Sequence, residues 1–247
     1  MRDRIVTGIV LSGILLFVGV VDSFFLTWLF LGIVYLISIY ESLKLYKLPL
    51  EANFYTVSLL LWVVAPFIQN SIYLVLLIGA IFLGLLAYFP KKIREVYFLP
   101  YLYPTVPFLS LLELYRNFGM EILAWLLVVV SSTDTMAYFV GRAIGKTQFS
   151  PTSPKKTLEG VAGGVVSATA IGTLLGLLIF DFGLLYLLFL SLTISIFAVF
   201  GDLFESYLKR KANIKDSGNI LPGHGGILDR VDGYMLSSMV LLAILNW

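Results

Sequence analysis

"LLYLLFLSLTISIFAVFGDLFESYLKRK", residues 184–211, decides the architecture of this chain. From Leu184 to Gly201 it carries no charge, and its last ten residues carry five. A helix advances about 1.5 Å per residue, so such a run is long enough to cross a hydrocarbon layer of about 30 Å. Similar runs fill the rest of the sequence. Of 247 residues, 59% are hydrophobic and only 13% are charged, where a soluble domain carries roughly 25%. The composition indicates an all-α, polytopic helical integral membrane protein.

Broken at Pro, Gly and charge clusters, the apolar runs predict about nine transmembrane helices. They fall near Ile5–Val21, Phe24–Tyr40, Phe54–Ile68, Ile72–Phe89, Tyr97–Leu114, Ile122–Val140, Leu158–Phe180, Leu184–Leu208 and Asp229–Asn246. Residues 1–117 contain about five spans, and residues 118–247 contain the others together with the long polar loops. The first run follows the basic start "MRDR" without a small-residue cleavage site, so it reads as a retained helix rather than a signal peptide. The absence of cysteine excludes disulfides and thiolate metal sites.

Sidedness follows from the basic residues. With the N-terminus cytoplasmic, 16 of the 17 Lys and Arg residues fall on the cytoplasmic side, and only Arg116 lies opposite. The insertion machinery and membrane potential produce this asymmetry. The polar loops are then cytoplasmic and the C-terminus lies on the other side. Arg2, Lys44 and Lys91 serve topology, and Arg142 and Lys146 suit anionic lipid head groups, with no nucleic-acid partner expected.

Two loops concentrate the polar residues: "GRAIGKTQFSPTSPKKTLEG" (141–160) and "KRKANIKDSGNILPGHGG" (209–226). Beside them lie carboxylates inside apolar helices, namely Asp134, Asp202, Glu205, Asp229 and Asp232. An ionised carboxylate in a helical bundle is costly unless paired, metal-bound or wet. Asp202, Glu205 and Ser206 share one helix face at i, i+3 and i+4, and Asp229 and Asp232 are spaced likewise. Oxygen-only ligands of this kind suit Mg²⁺. Taken singly, each feature has a plainer account: a buried carboxylate paired with a loop lysine, a topological charge, a tight "PGHGG" turn. Their coincidence in both loops points to a site for a metal-bound polyphosphate, with Gly-rich backbone and basic side chains on the phosphate oxygens. The sequence has no GxxxxGK[ST] motif of a P-loop ATPase.

From Ser206 to Asp232 the chain reads S-x-L-K-R-x4-K-D-x-G-x2-L-P-x-H-G-G-I-x-D-R-V-D. This resembles the signature of the phosphatidate cytidylyltransferases (CDP-diacylglycerol synthases), with no departure within it. "DTMAYFVGRAIGK", "SPTSPKKTLEG" and "GDLFES" resemble the family's upstream blocks, with Asp134, Ser150, Ser153, Lys156, Glu159 and Gly160 at matching places. The resemblance covers about residues 134–233. It implies Mg²⁺-dependent transfer of CMP from CTP to phosphatidic acid, giving CDP-diacylglycerol and pyrophosphate.

On that basis Asp202, Asp229, Asp232 and Glu205 are expected metal ligands. Lys209, Arg210, Lys215, Lys155 and Lys156 are expected clamps on the phosphates, and Ser150, Ser153 and Glu159 are expected near substrate. Asp134 holds a lysine or a second, monovalent cation. Gly225 and Gly226 let backbone approach a phosphate, and Asp216 and His224 orient the loop. A homodimer is compatible with the family, and the small-residue stripe "GVAGGVVSATA" (160–170) permits close helix packing within one chain or between two. The competing functions are an ether-lipid cytidylyltransferase, a CTP-dependent polyprenol or phytol kinase, and a transporter. The D-G-x2-A-R pattern of the CDP-alcohol phosphotransferases is missing.

Overall fold

A computed structural model describes residues 2–223 and 225–247, with side chains from Val6 onward. The expected His224 lies outside the described residues. The elements are α1 (Arg2–Val21), α2 (Phe24–Leu45), α3 (Ala52–Val64), α4 (Ile72–Tyr88), α5 (Leu99–Leu102), α6 (Thr105–Ile144), β1 (Gln148–Ser150), β2 (Ser153–Thr157), α7 (Leu158–Ile179), α8 (Leu184–Ala212) and α9 (Leu228–Leu245). The protein is a polytopic helical membrane protein, with one small antiparallel hairpin, β1–β2, inside the first polar loop.

The helices follow the expected apolar runs except in the fifth and sixth. There Pro100 lies in the single turn α5, and Pro104 caps the start of α6. α6 then continues to Ile144 with one break at Gly119 (φ 79°, ψ −174°), a conformation that glycine adopts without a Cβ penalty. Among the described residues, four helical segments are long and apolar enough to cross a membrane: 24–45, 95–144, 158–179 and 184–212. Val6–Val21, Ala52–Phe67 and Ile72–Tyr88 are shorter apolar helices. The number nine therefore remains an expectation from sequence, because length and composition do not carry four of its members across, α9 among them.

α6, α7, α8 and α9 form the packed centre of the bundle. α6 presents Ile122, Trp125, Leu126, Val129, Val130 and Thr133 inward, a three-and-four spacing that keeps them on one face. α7 answers with Gly160, Gly164, Ala168, Gly172 and Gly176, one small residue every fourth position. A Cβ on Gly164 would stand 2.6 Å from the Thr133 carbonyl oxygen, and one on Gly172 would stand 2.6 Å from Val129 Cγ2. Trp125 Nε1 uses that closeness to donate to the Gly172 carbonyl at 2.8 Å. Lipid tails give no hydrophobic drive between helices, so close packing and such hydrogen bonds must hold them together. The small-residue stripe is engaged inside the chain, and Val166, Leu174 and Leu178 form the exposed apolar side of the same helix.

The end away from the polar loops is closed by side-chain caps. Glu113 accepts from Ser71 Oγ at 2.7 Å and from the Ile72 amide at the start of α4. Arg116 donates to the carbonyl of Ile68 at 2.7 Å and to that of Gln69. The one basic residue that departs from the charge asymmetry thus satisfies carbonyls that end a helix.

Gly164→Val is expected to lower stability by about 1–3 kcal/mol through overpacking of α6 against α7. Gly8→Val, at a position with open space around its Cβ, should change it little. Thermal unfolding in detergent, followed by fluorescence of the four tryptophans, compares the two.

Candidate active site

α8 and α9 touch most closely at glycine. A Cβ on Gly201 would lie 3.2 Å from the Gly233 Cα and collide with the backbone of Asp232. This contact sets Asp202 and Glu205 of α8 beside Asp229 and Asp232 of α9. Lys209, one turn beyond Glu205, joins the two helices. Its Nζ lies 2.6 Å from Glu205 Oε2 and 2.7 Å from Asp229 Oδ1. Asp229 Oδ2 accepts from the amides of Ser217 (2.9 Å) and Gly226 (2.8 Å), so this carboxylate ties the middle of the second polar loop to its end.

The hairpin supplies the second cation. Lys156 Nζ stands 2.6 Å from Asp202 Oδ2 and 3.6 Å from Asp134 Oδ1, joining α8 to α6. Burial opposes its charge, but Asp202 and Asp134 outweigh burial and hold the ammonium above the usual lysine range. Asp202 Oδ2 is buried and faces the Lys156 ammonium. Glu205 Oε1 is buried and unbonded. Asp232 accepts from the Gly233 amide at 2.8 Å and is close enough to Glu205, Asp202 and Asp134 to feel their charges. The carboxylates here outnumber the lysines. No three of them converge as a preformed metal cage among the described residues.

The outer face of the second loop forms a polar cleft of about 670 Å³ lined by Lys215, Asp216, Asn219, Gly225 and Arg230, with Leu221, Pro222 and Gly223. Gly223 and Gly225 both have positive φ, and a Leu221–Gly225 bridge closes the turn between them. The Gly226 amide faces inward to Asp229, so it is occupied within the protein.

The other expected residues sit in the hairpin. Ser150 shares a hydrogen bond with Thr152 Oγ1 at 2.8 Å, Ser153 pairs across from Ser150, and Lys155 is exposed. Arg210 Nε reaches the Thr152 carbonyl at 3.4 Å, tying α8 to the hairpin turn. Glu159 accepts from the amides of Lys146 and Thr147 and from the Thr147 hydroxyl, fastening the start of α7 to the end of α6.

Two residues at this site escaped the sequence analysis. Glu41 of α2 is fully buried and accepts from Ser217 Oγ (2.9 Å) and from the amides of Ile227 (3.0 Å) and Leu228 (2.8 Å). Its signal was present: it is the only acid in the run Phe24–Leu45. Tyr103 packs its ring edge-on to Phe204 with centroids 5.2 Å apart. It lies within electrostatic reach of Glu205 and Asp232, with its hydroxyl buried and unbonded. Nothing in its local sequence distinguished it from the neighbouring aromatics.

Residues 2–247 match the sequence model of the cytidylyltransferase family. The chain is 42% identical over 244 residues to a protein of Helicobacter pylori (strain 26695) named phosphatidate cytidylyltransferase, covering 99% of this chain and 91% of that one. It is 35% identical over 256 residues to the protein of the same name from Bacillus subtilis (strain 168), covering 95% and 94%. The Brucella abortus (strain 2308) protein of that name is 46% identical over 134 residues, about half of each chain.

Lys209→Met would leave Glu205 and Asp229 without their cation, and breaking a buried pair on one side costs about 3–5 kcal/mol. Lys209→Met/Glu205→Gln should recover part of that loss. Unfolding temperatures of both variants against the parent measure the difference.

Proposed function

The chain belongs to the cytidylyltransferase family, and from that premise we propose that it transfers CMP from CTP to phosphatidic acid in phospholipid biosynthesis. The observation that carries this is the nearly full-length likeness to proteins named phosphatidate cytidylyltransferase. The cluster of paired carboxylates and lysines beside a polar cleft supports it.

In this reaction a phosphate oxygen of the lipid attacks the α-phosphorus of CTP. A new P–O bond forms, the bond to the β-phosphate oxygen breaks, and pyrophosphate leaves with the electron pair. The lipid phosphate has a second pKa near 6 and is largely dianionic at neutral pH, so it needs little help from a base. The difficulty is repulsion between two polyanions, and positioned positive charge relieves it. Lys215 and Arg230 line the cleft and suit the triphosphate. Lys156, half-buried beside Asp202, suits the lipid phosphate, with Arg210 at the hairpin turn. Lys209 and Asp229 bind one another, and their role in this scheme is to hold α8, α9 and the loop in register.

The donor set fits a divalent cation. Glu205 Oε1 is a buried carboxylate oxygen without a hydrogen bond, Asp202 Oδ2 beside it has only the Lys156 ammonium, and Mg²⁺ characteristically binds one or two carboxylates plus substrate phosphate. Glu205 with one of its neighbours Asp202 and Asp232 would hold it, where it would neutralise charge on the triphosphate. Asp229, also expected as a ligand, has both oxygens engaged by Lys209, Ser217 and Gly226. Asp134 has Lys156 as its cation. The basic-residue asymmetry supports a cytoplasmic site, with the N-terminus on the same side and the C-terminus opposite. Residues 118–247 then supply the reacting groups, and residues 1–117 support the loop through Glu41. A homodimer would use a surface other than the stripe buried between α6 and α7.

Detergent-purified protein given CTP, Mg²⁺ and phosphatidic acid should release pyrophosphate and form CDP-diacylglycerol, and EDTA should stop both. Asp202→Asn should lower kcat by about a hundredfold or more, the scale on which a lost charge-stabilising group acts. CDP released with a polyprenol acceptor, and no pyrophosphate, would instead identify a lipid kinase.

A further inference from the structure

We infer that Glu41, in the N-terminal half, is a positioning residue for the nucleotide-binding loop. Its carboxylate holds the inner face of residues 217–228, so that the outer face is presented to substrate. Glu41 is 0% exposed, and among the described residues it has no Lys or Arg in ion-pair contact. A buried carboxylate without a cation persists where dipoles satisfy it. Its partners are the Ser217 hydroxyl and the Ile227 and Leu228 amides, spaced along the loop that joins α8 to α9. Two of these are adjacent N–H groups where α9 begins, the positive end of that helix.

The glycines of the loop follow from the same carboxylate. A Cβ on Gly218 or Gly226 would collide with a Glu41 oxygen, so a side chain at either position would lift the loop off its anchor. Asp229 grips Ser217 and Gly226 through their amides. Between them, Glu41 and Asp229 accept from the Ser217 hydroxyl and from the amides of Ser217, Gly226, Ile227 and Leu228. Lys215, Asp216, Asn219, Gly225 and Arg230 remain along the cleft. A helix N-terminus is commonly a phosphate site, but in α9 that place is taken by Glu41. Triphosphate recognition therefore falls to the Lys215 and Arg230 side chains.

The negative charge is required as well as the shape. A glutamine at this position keeps one carbonyl acceptor but turns two N–H donors toward donors. A role confined to stability would lower the melting temperature and leave kinetics of the folded fraction unchanged.

The test uses the full chain in detergent, as Glu41→Gln and Ser217→Ala, with hydrogen exchange and steady-state kinetics on monodisperse protein. In Glu41→Gln, amides of residues 215–230 should exchange at least about tenfold faster while those of α6 and α7 keep their rates. The KM for CTP should rise by about tenfold or more, with the KM for phosphatidic acid changed less. Parental loop exchange and parental KM for CTP in folded Glu41→Gln would overturn the inference. If that variant yields no monodisperse protein, Ser217→Ala decides. It removes one donor and keeps the charge, so a severalfold rise in KM for CTP supports the inference and an unchanged value overturns it. The kinetic arm rests on the proposed reaction. Should the parent release no pyrophosphate, that reaction fails, while the exchange arm still decides the role of Glu41.

Discussion

The bridge from Lys209 to Glu205 and Asp229 is the interaction on which the polar end of this protein depends. Each of the three groups is buried or nearly so, and in a bundle surrounded by hydrocarbon none could remain charged alone. Together they make a unit that belongs to two helices at once. Asp229 extends that unit to the loop, and Lys156 repeats the arrangement on the other side by joining Asp202 to Asp134. Paired charges thus fasten α6, α8, α9 and the hairpin to one another. A lipid-embedded enzyme has few other ways to hold an ionic site together, since apolar contact with a neighbouring helix offers little advantage over contact with lipid.

Ionic contacts act only over short range, so the helices must approach closely, and glycine permits this. Gly201 lets α8 and α9 meet at Asp232, and the four-residue spacing of small residues on α7 draws it against α6. That closeness carries Lys156, immediately before α7, onto carboxylates from two other helices. The same glycine stripe would have served a contact between chains had it faced outward. Its position against Thr133 and Val129 assigns it to the interior.

The reaction gives this arrangement its logic. In the proposed reaction one substrate would be an anionic lipid confined to a leaflet and the other a polyanion arriving from water, which calls for a site at the end of the bundle with positive charge toward both. The polar cleft opens beside Lys215 and Arg230, and the carboxylate–lysine cluster lies where α6, α8, α9 and the hairpin meet. Glu41 connects the first half of the chain to the loop between α8 and α9.

Membrane class, helical architecture and the identity of the charged loops were legible in the sequence because they depend on local properties. An uncharged run such as 184–201 has one stable environment, and a carboxylate three residues from another shares its face whatever surrounds the helix. The spacing of Asp202 and Glu205 therefore pointed to one site before any contact was known. Partner choice was not legible. That Asp229 is engaged by Lys209 and the loop amides, that Glu159 fastens α7 to α6, and that Gly226 faces inward depend on how separate helices approach one another. Glu41 lies 176 residues before the serine it binds, a distance at which local pattern carries no information. The hairpin at 148–157 and the break at Gly119 were missed for a related reason, since a short polar segment or a lone glycine takes its conformation from what it packs against. Sequence by itself determined where apolar runs must leave water and which residues bear charge. Only the tertiary structure decided which charges neutralise which, because that is settled by the few ångströms between helices that have no counterpart along the chain.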